Sequence, residues 1–276
     1  TLHLVATPIG NLEDSSARAL RVLAEVRLIA AEDTRHTARL LQHYSIHTRC
    51  LSYHEHNKLA RLEQVLAALE AGDVALVSDA GTPALNDPGF ELVQAVLSAG
   101  HQVSPVPGAC APIAALVASG LPTDTFLYLG YLPRRQAERH RLLQSIATLP
   151  YTLIFLETPH RLLEALHDLA ALLGDRQVAV GRELTKLHEE IFRGRLQQAL
   201  AHFTAQPPRG EFTLVIAGHI AVSQRWSEER LTAALQQAQS RAEKPAALAR
   251  RLAEQSGWPK SEVYALLNCL RAAGEM

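Results

Sequence analysis

The stretch GDVALVSDAGTPALNDPG, residues 72–89, decides how the rest of the chain is read. Val74, Ala75, Leu76 and Val77 form a short apolar run between turn signals, the pattern of a strand buried on both faces of a sheet. Ser78, Asp79, Ala80, Gly81, Thr82 and Pro83 follow, a loop of small residues at the carboxyl end of that strand. Open α/β sheets bind ligands at this edge. Small side chains let a ligand approach the backbone, and Asp79 adds an acceptor and a negative charge.

Outward from it the same strand-then-loop arrangement recurs. The apolar run 2–6 leads into Thr7, Pro8, Ile9, Gly10 and Asn11, and the run 28–31 into Glu32, Asp33, Thr34 and Arg35. The run 103–106 leads into Pro107, Gly108, Ala109, Cys110 and Ala111. Helical periodicity lies between them, clearest over 58–71 and ended by Gly72. Strands alternating with helices predict a mostly parallel sheet. Gly120 to Thr123 reads as a linker, after which the pattern restarts with strands near 126–132, 152–156, 178–180, 190–192 and 212–217. Strands in such close succession predict a mixed sheet. From His219 onward the composition turns to Ala, Gln, Arg and Glu, with helix starts at Ser227, Pro245 and Pro259 and a stop at Gly257. The expected organisation is an N-terminal α/β domain over 1–121, a second α/β domain over 122–219 and a three-helix tail of helix-turn-helix size over 220–276.

The chain has 276 residues, is 47% hydrophobic and carries a formal net charge of −1. It can bury a large core, and it does not coat nucleic acid by bulk charge, so any RNA contact must come from local basic patches. Three dispersed cysteines, Cys50, Cys110 and Cys269, predict a reducing compartment. With no signal-peptide pattern and no run of membrane-spanning length, the chain is expected in the cytoplasm and off the membrane.

No G-x-G-x-x-G follows the first strand, and neither a P-loop nor a G-x-S-x-G serine is present, which excludes those nucleotide and nucleophile chemistries. His43, His47, His54 and His56 lack Cys or carboxylate partners at ligand spacing, so no metal is expected. Two basic groups stand out: Arg134, Arg135, Arg139 and Arg141 at the start of the second half, and Arg35 with Arg39 beside the EDTR loop. Phosphate contact is the functional reading of both, a solvated helix face the plain one. In the tail, Arg241, Lys244, Arg250, Arg251 and Lys260 are diluted by Glu228, Glu229, Glu243, Glu254 and Glu262.

The motifs LVATPIGNLEDSS, AAEDTRHTARLL, VALVSDAGTPALNDPG, VPGACAP, IFLETPHRL, RELTKLHEE and GEFTLVIAG occur in this order up to about Gly218. Together they resemble the ribosomal RNA small-subunit methyltransferase I family, a branch of the tetrapyrrole (corrin/porphyrin) methylases. The resemblance implies a two-domain tetrapyrrole-methylase-like α/β fold with S-adenosylmethionine in the cleft between the domains, and a small helix-turn-helix tail. It implies methyl transfer to the ribose 2'-hydroxyl of a cytidine in the decoding centre of 16S rRNA, with the small ribosomal subunit as partner and a homodimeric state. Carried over by position, the donor site comprises Pro8, Asp79, Ala80, Gly81, Ala84, Cys110, Ala111, Glu157 and Leu184. Cys110 stands where relatives often have Ser or Thr, and Asp79, Ala80 and Gly81 replace the G-D-P of small-molecule methylases. The proton of the acceptor hydroxyl needs a base, and Lys186 or Asp33 is the expected contact; RNA phosphates fall to Arg35, Arg39, Arg134, Arg135 and Arg139. Two other readings stay open, a small-molecule tetrapyrrole methylase and an RNA-binding or assembly protein without turnover.

Overall fold

The computed structural model describes residues 1–220, 225–239 and 244–274. Arg241 and Glu243, counted in the tail's charge above, lie outside the described residues. The chain divides into two compact units, Thr1–His219 and Ile220–Met276.

In the first unit the chain begins β1 (Leu2–Val5), α1 (Ala17–Glu25), β2 (Leu28–Ala31), α2 (Thr34–His43), β3 (Cys50–Ser52), α3 (Lys58–Ala71), β4 (Val74–Val77), α4 (Phe90–Ser98), β5 (Val103–Val106) and α5 (Ala111–Ser119). Its five strands form one sheet in the order β3-β2-β4-β1-β5, every neighbouring pair parallel. β4 lies at the centre, and all four of its residues are buried. Alternation along each strand sends side chains to opposite faces. Val5, Ile29, Ala75 and Val77 meet α1 and α2 on one side, while Leu2, Leu28, Val74 and Leu76 meet α3 and α4 on the other. The continuous apolar run is thus required by two covered faces. Truncating Leu76, 1% exposed, to Ala is expected to cost about 2–5 kcal/mol.

The chain continues through β6 (Phe126–Tyr131), α6 (Gln136–Ile146), β7 (Thr152–Glu157), α7 (Leu162–Leu173), β8 (Gln177–Arg182), β9 (Glu190–Arg195), α8 (Leu196–Ala205) and β10 (Phe212–Ile216). The second sheet runs β6-β7-β10-β8-β9, with β6 parallel to β7 and the remaining pairs antiparallel, the mixed sheet expected. One face buries Phe155, Leu166, Val180, Phe203 and Leu214 against α6, α7 and α8. On the other, α5 packs Ala115 and Leu116 against Ile154, Ala179 and Val215, joined by Ile9 from the loop after β1. The last helix of the first sheet therefore also covers the second, and the loops after β1, β4 and β5 face the edge of β6, β7 and β10.

The second unit holds α9 (Glu228–Gln239), α10 (Pro245–Ser256) and α11 (Lys260–Gly274) around Leu231, Leu235, Leu248, Leu252, Val263 and Leu267. The Ser227 hydroxyl accepts the Arg230 N–H at 3.2 Å as a helix cap, and Gly257 ends α10 in the left-handed conformation, as the sequence signals predict.

Candidate active site

The loops after β1 and β4 are tied together by backbone. Thr7 and Gly81 exchange N–H donation, Thr7 N to Gly81 O at 2.9 Å and Gly81 N to Thr7 O at 3.0 Å. Gly81 has φ +81°, and a Cβ there would lie 3.3 Å from the Ile9 side chain. Position 81 thus needs glycine both for its backbone conformation and for close approach.

A cleft of about 240 Å³ opens beside this bridge, between the carboxyl ends of the first sheet and the edge of the second. Asp79, Ala80 and Gly81 wall it from β4, Cys110 and Ala111 from the start of α5, Glu157 from the end of β7, and Leu184 from the loop after β8. These are seven of the nine positions expected for the donor. Pro8 lies instead in an adjoining cavity that shares Asp79. Ala84 is outside the cleft lining, at φ +66°, where its Cβ packs beside the α-carbon of Gly89 at the start of α4.

Two walls were not read from the sequence. Asn86, at φ +63°, places its side chain over Gly130 of β6, at the register irregularity between Tyr128 and Tyr131. There it accepts a 2.6 Å hydrogen bond from the Tyr128 hydroxyl, whose loss of a proton is pushed up to about 12, chiefly by burial. This clasp joins the loop after β4 to the second sheet. The other missed wall is acidic: Glu32, Asp87 and Glu211 line the cleft with Asp79 and Glu157. Among the described residues, five acidic ones line it and no Lys, Arg or His does.

Their environments differ. Asp87 is pushed up to about 6, first by burial and then by the negative Glu32 and Asp79 nearby. Glu32 is also raised, with burial the largest cause, although one of its oxygens accepts the Asp79 N–H at 3.3 Å. Glu157, 2% exposed, accepts the Thr158 N–H at 2.8 Å through Oε1. Among the described residues its Oε2 has no hydrogen-bond partner; Arg161 stands 3.4 Å away without hydrogen-bonding geometry. Burial pushes this carboxyl up as well. A buried acceptor oxygen bordering a cleft is a vacancy for a donor group on a ligand.

Neither Asp33 nor Lys186 lines the cleft, but each touches a carboxylate that does. The Asp33 carboxylate caps α2 through the Arg35 N–H at 2.8 Å and pairs with the Arg35 guanidinium at 2.7 Å, which hold it well below the usual carboxylate range. Its own N–H donates to Asp79 Oδ1 at 3.0 Å. Lys186 Nζ donates to Glu183 at 2.8 Å and to Glu211 at 3.1 Å. Burial works to lower its affinity for the proton, but the two carboxylates outweigh this and hold the ammonium charged.

The arginines separate. Arg134, Arg135 and Arg39 are exposed, and Arg35 is exposed but engaged by Asp33. Arg139 is 1% exposed, so its expected contact with phosphate is corrected. Its guanidinium donates to Asp168 at 2.7 Å, to Glu164 at 2.5 Å and to the Pro133 and Arg134 carbonyls. The helix turns residue 139 inward while its neighbours in sequence point out. Among the described residues, no three His, Cys, Asp or Glu side chains are grouped to hold a metal, and no helix is long and apolar enough to cross a membrane.

Comparison with known proteins places this geometry. The model of the tetrapyrrole (corrin/porphyrin) methylases matches residues 1–200. A ribosomal RNA small subunit methyltransferase I of Synechocystis sp. is 50% identical over 276 residues, covering 99% of both chains. The protein of that name from Escherichia coli O157:H7 is 47% identical over 268 residues, covering 95% of this chain and 93% of its own. Among solved structures, the methyltransferase CobJ superposes with a TM-score of 0.58 at 18% identity, covering 82% of this chain and 96% of its own. Uroporphyrin-III C-methyltransferase from Thermus thermophilus, solved with S-adenosyl homocysteine, gives 0.54 at 21% identity over 78% and 96%. At such identities the two structures bear on the fold alone. With a two-sheet α/β fold, a cleft walled by the expected loops and relatives of near-identical extent, the chain belongs to the tetrapyrrole methylase family and, within it, to the ribosomal RNA small subunit methyltransferase I family.

Proposed function

We propose that this protein transfers a methyl group from S-adenosylmethionine to the ribose 2'-hydroxyl of a cytidine in the decoding centre of 16S rRNA. The observation that carries the donor assignment is the acidic lining of the cleft: five Asp or Glu and, among the described residues, no Lys, Arg or His, with Lys186 and Arg161 outside the lining beside Glu211 and Glu157. S-adenosylmethionine bears a sulfonium and an ammonium against a single carboxylate, and such a wall attracts this net positive charge while disfavouring a phosphodiester. The orphaned Oε2 of buried Glu157 offers an acceptor to a hydroxyl or amine of the adenosyl group. Small residues at Ala80, Gly81 and Ala111 leave backbone open to it.

When bound, S-adenosylmethionine would supply an electrophilic methyl group: the carbon–oxygen bond would form as the carbon–sulfur bond breaks, leaving S-adenosylhomocysteine, with the hydroxyl proton released to solvent. The chain's residues have three tasks. They hold the donor, they join the loop after β4 to the second sheet through the Asn86–Tyr128 clasp, and they align the hydroxyl. In favourable intramolecular cases alignment is worth about 7–11 kcal/mol. Lys186 and Asp33 act in this reading as positioning residues, through Glu211 and Asp79 respectively. An ammonium held by two carboxylates and a carboxylate held by an arginine are both poor proton acceptors.

The choice of ribosomal RNA rests on the names of relatives that match over nearly their whole length. Exposed Arg39, Arg134 and Arg135 supply phosphate contacts outside the cleft. The small subunit as partner, a homodimeric state and a cytoplasmic setting belong to the same proposal and rest on the resemblance. Titration with S-adenosylmethionine, followed by incubation of the labelled complex with undermethylated small subunits, tests it. Saturable donor binding and label in the RNA are expected; donor binding without label would leave the assembly-protein reading in its place.

A further inference from the structure

A second cavity of about 240 Å³ adjoins the cleft, and Asp79 borders both. It lies between the loop after β1 and α2, lined by buried Thr37 and Leu40 as well as exposed His36 and Arg39. Its composition is the reverse of the cleft's: Pro8, Leu12 and Leu40 give apolar walls, and Asp79 is the one acid among its lining residues. His36 and Arg39 line it from α2, three residues apart and so on one face of the helix. Neither side chain has a hydrogen bond or ion pair among the described residues, whereas Arg35 is occupied by Asp33.

An apolar slot beside an unpaired arginine suits a nucleobase with a phosphate attached. Enzymes that act on a nucleotide in a folded RNA take it out of the stack and place the base between apolar side chains, with phosphates on cations. The acid-lined cleft also has apolar walls, Leu156 and Phe212 among them, but no Lys, Arg or His among its described lining residues to take a phosphate. We propose that this second cavity receives the nucleoside to be modified, flipped from its strand, with an adjacent phosphate on Arg39 and its ribose hydroxyl at Asp79. Asp79 is suited to the shared position. Its Oδ1 already accepts the Asp33 N–H, and its other oxygen carries no hydrogen bond among the described residues, leaving an acceptor for a ribose hydroxyl. The Asp33 N–H fixes the carboxylate, and the Thr7–Gly81 bridge fixes the loop behind it.

This inference rests on the reading of the cleft as the donor site, and its test separates the two. Leu12 is 38% exposed, so Leu12→Trp narrows the second cavity without emptying the core. The expected result is a KM for undermethylated small subunits raised at least tenfold, with the dissociation constant for S-adenosylmethionine within twofold of the unaltered protein. Arg39→Ala is expected to lower the slope of subunit affinity against salt by about one, and Arg39→Lys to restore it. The Arg39 variants report even where Leu12→Trp folds poorly, because Arg39 is on the surface. Unchanged KM and an unchanged salt slope would overturn the inference, as would loss of donor binding in Leu12→Trp, which would make the cavity part of the donor site. If the unaltered protein binds no donor and labels no RNA, the donor reading itself has failed.

Discussion

Two cavities of equal volume share one residue, Asp79, yet have opposite linings. Among the described residues the cleft between the sheets is lined by five acidic residues and no Lys, Arg or His; the cavity against α2 has one acid, Asp79, with His36 and Arg39 at its side. The difference teaches that charge sign sorts ligands within a chain whose net charge is only −1. In the proposed reading a cationic donor and an anionic RNA strand are drawn to different places, and the boundary between them is a loop set by the Thr7–Gly81 bridge.

The comparison depends on which charges are free, and the largest expected effect tests that. Arg139 reads in sequence like Arg39 but is buried between Asp168 and Glu164. Arg139→Ala strands a buried carboxylate and is expected to lower the unfolding free energy by about 3–5 kcal/mol in denaturant titration. Arg134→Ala is expected to stay within about 0.5 kcal/mol, because Arg134 is exposed. Equal losses would place the two arginines in the same environment and undo the sorting.

A smaller effect separates the two cavities. Glu157→Gln keeps the side chain's shape and removes its charge from the cleft alone. Donor affinity is expected to fall about tenfold, or 1.4 kcal/mol, in calorimetric titration, while KM for the RNA substrate is unchanged. Stability is expected to hold or rise at neutral pH, since the buried carboxylate is costly to ionise. A shifted RNA KM with normal donor affinity would exchange the roles of the cavities.

The smallest effect is on pH. Asp87, raised to about 6, binds a proton more tightly in the folded chain than in the unfolded one. Its contribution to stability is therefore present at low pH and lost as pH rises from about 4 through 6. Donor binding moves the other way, because the ionised carboxylate attracts a cation. Donor affinity is expected to weaken a few-fold as pH falls through about 6, and Asp87→Asn to flatten that profile. A profile unaltered by Asp87→Asn would remove this residue from the donor's surroundings.

Much of this was legible in one dimension. β4 was readable because both faces of its sheet are covered, so every residue is apolar, and the loop after it because glycine and small residues mark a close approach. The seven donor positions that meet in the cleft come from motifs whose order along the chain follows the strand ends. What was missed depends on partners far along the chain. Asn86 and Asp87 belong to the very stretch that led the reading, but the clasp needs Gly130 and Tyr128 in the other sheet. Glu32 was overshadowed by Asp33, although capping α2 occupies Asp33 and leaves Glu32 to the cleft. Arg139 was misread because a run of arginines looks alike until a helix gives each a direction.

In the proposed function the acid-lined cleft delivers a methyl group to a ribose of ribosomal RNA. Its most direct test is to incubate the protein with methyl-labelled S-adenosylmethionine and undermethylated small ribosomal subunits, digest the RNA and identify the labelled nucleoside. The account predicts label on the 2'-oxygen of a single cytidine in the decoding centre. Label on a base, or no label in the RNA, would contradict it.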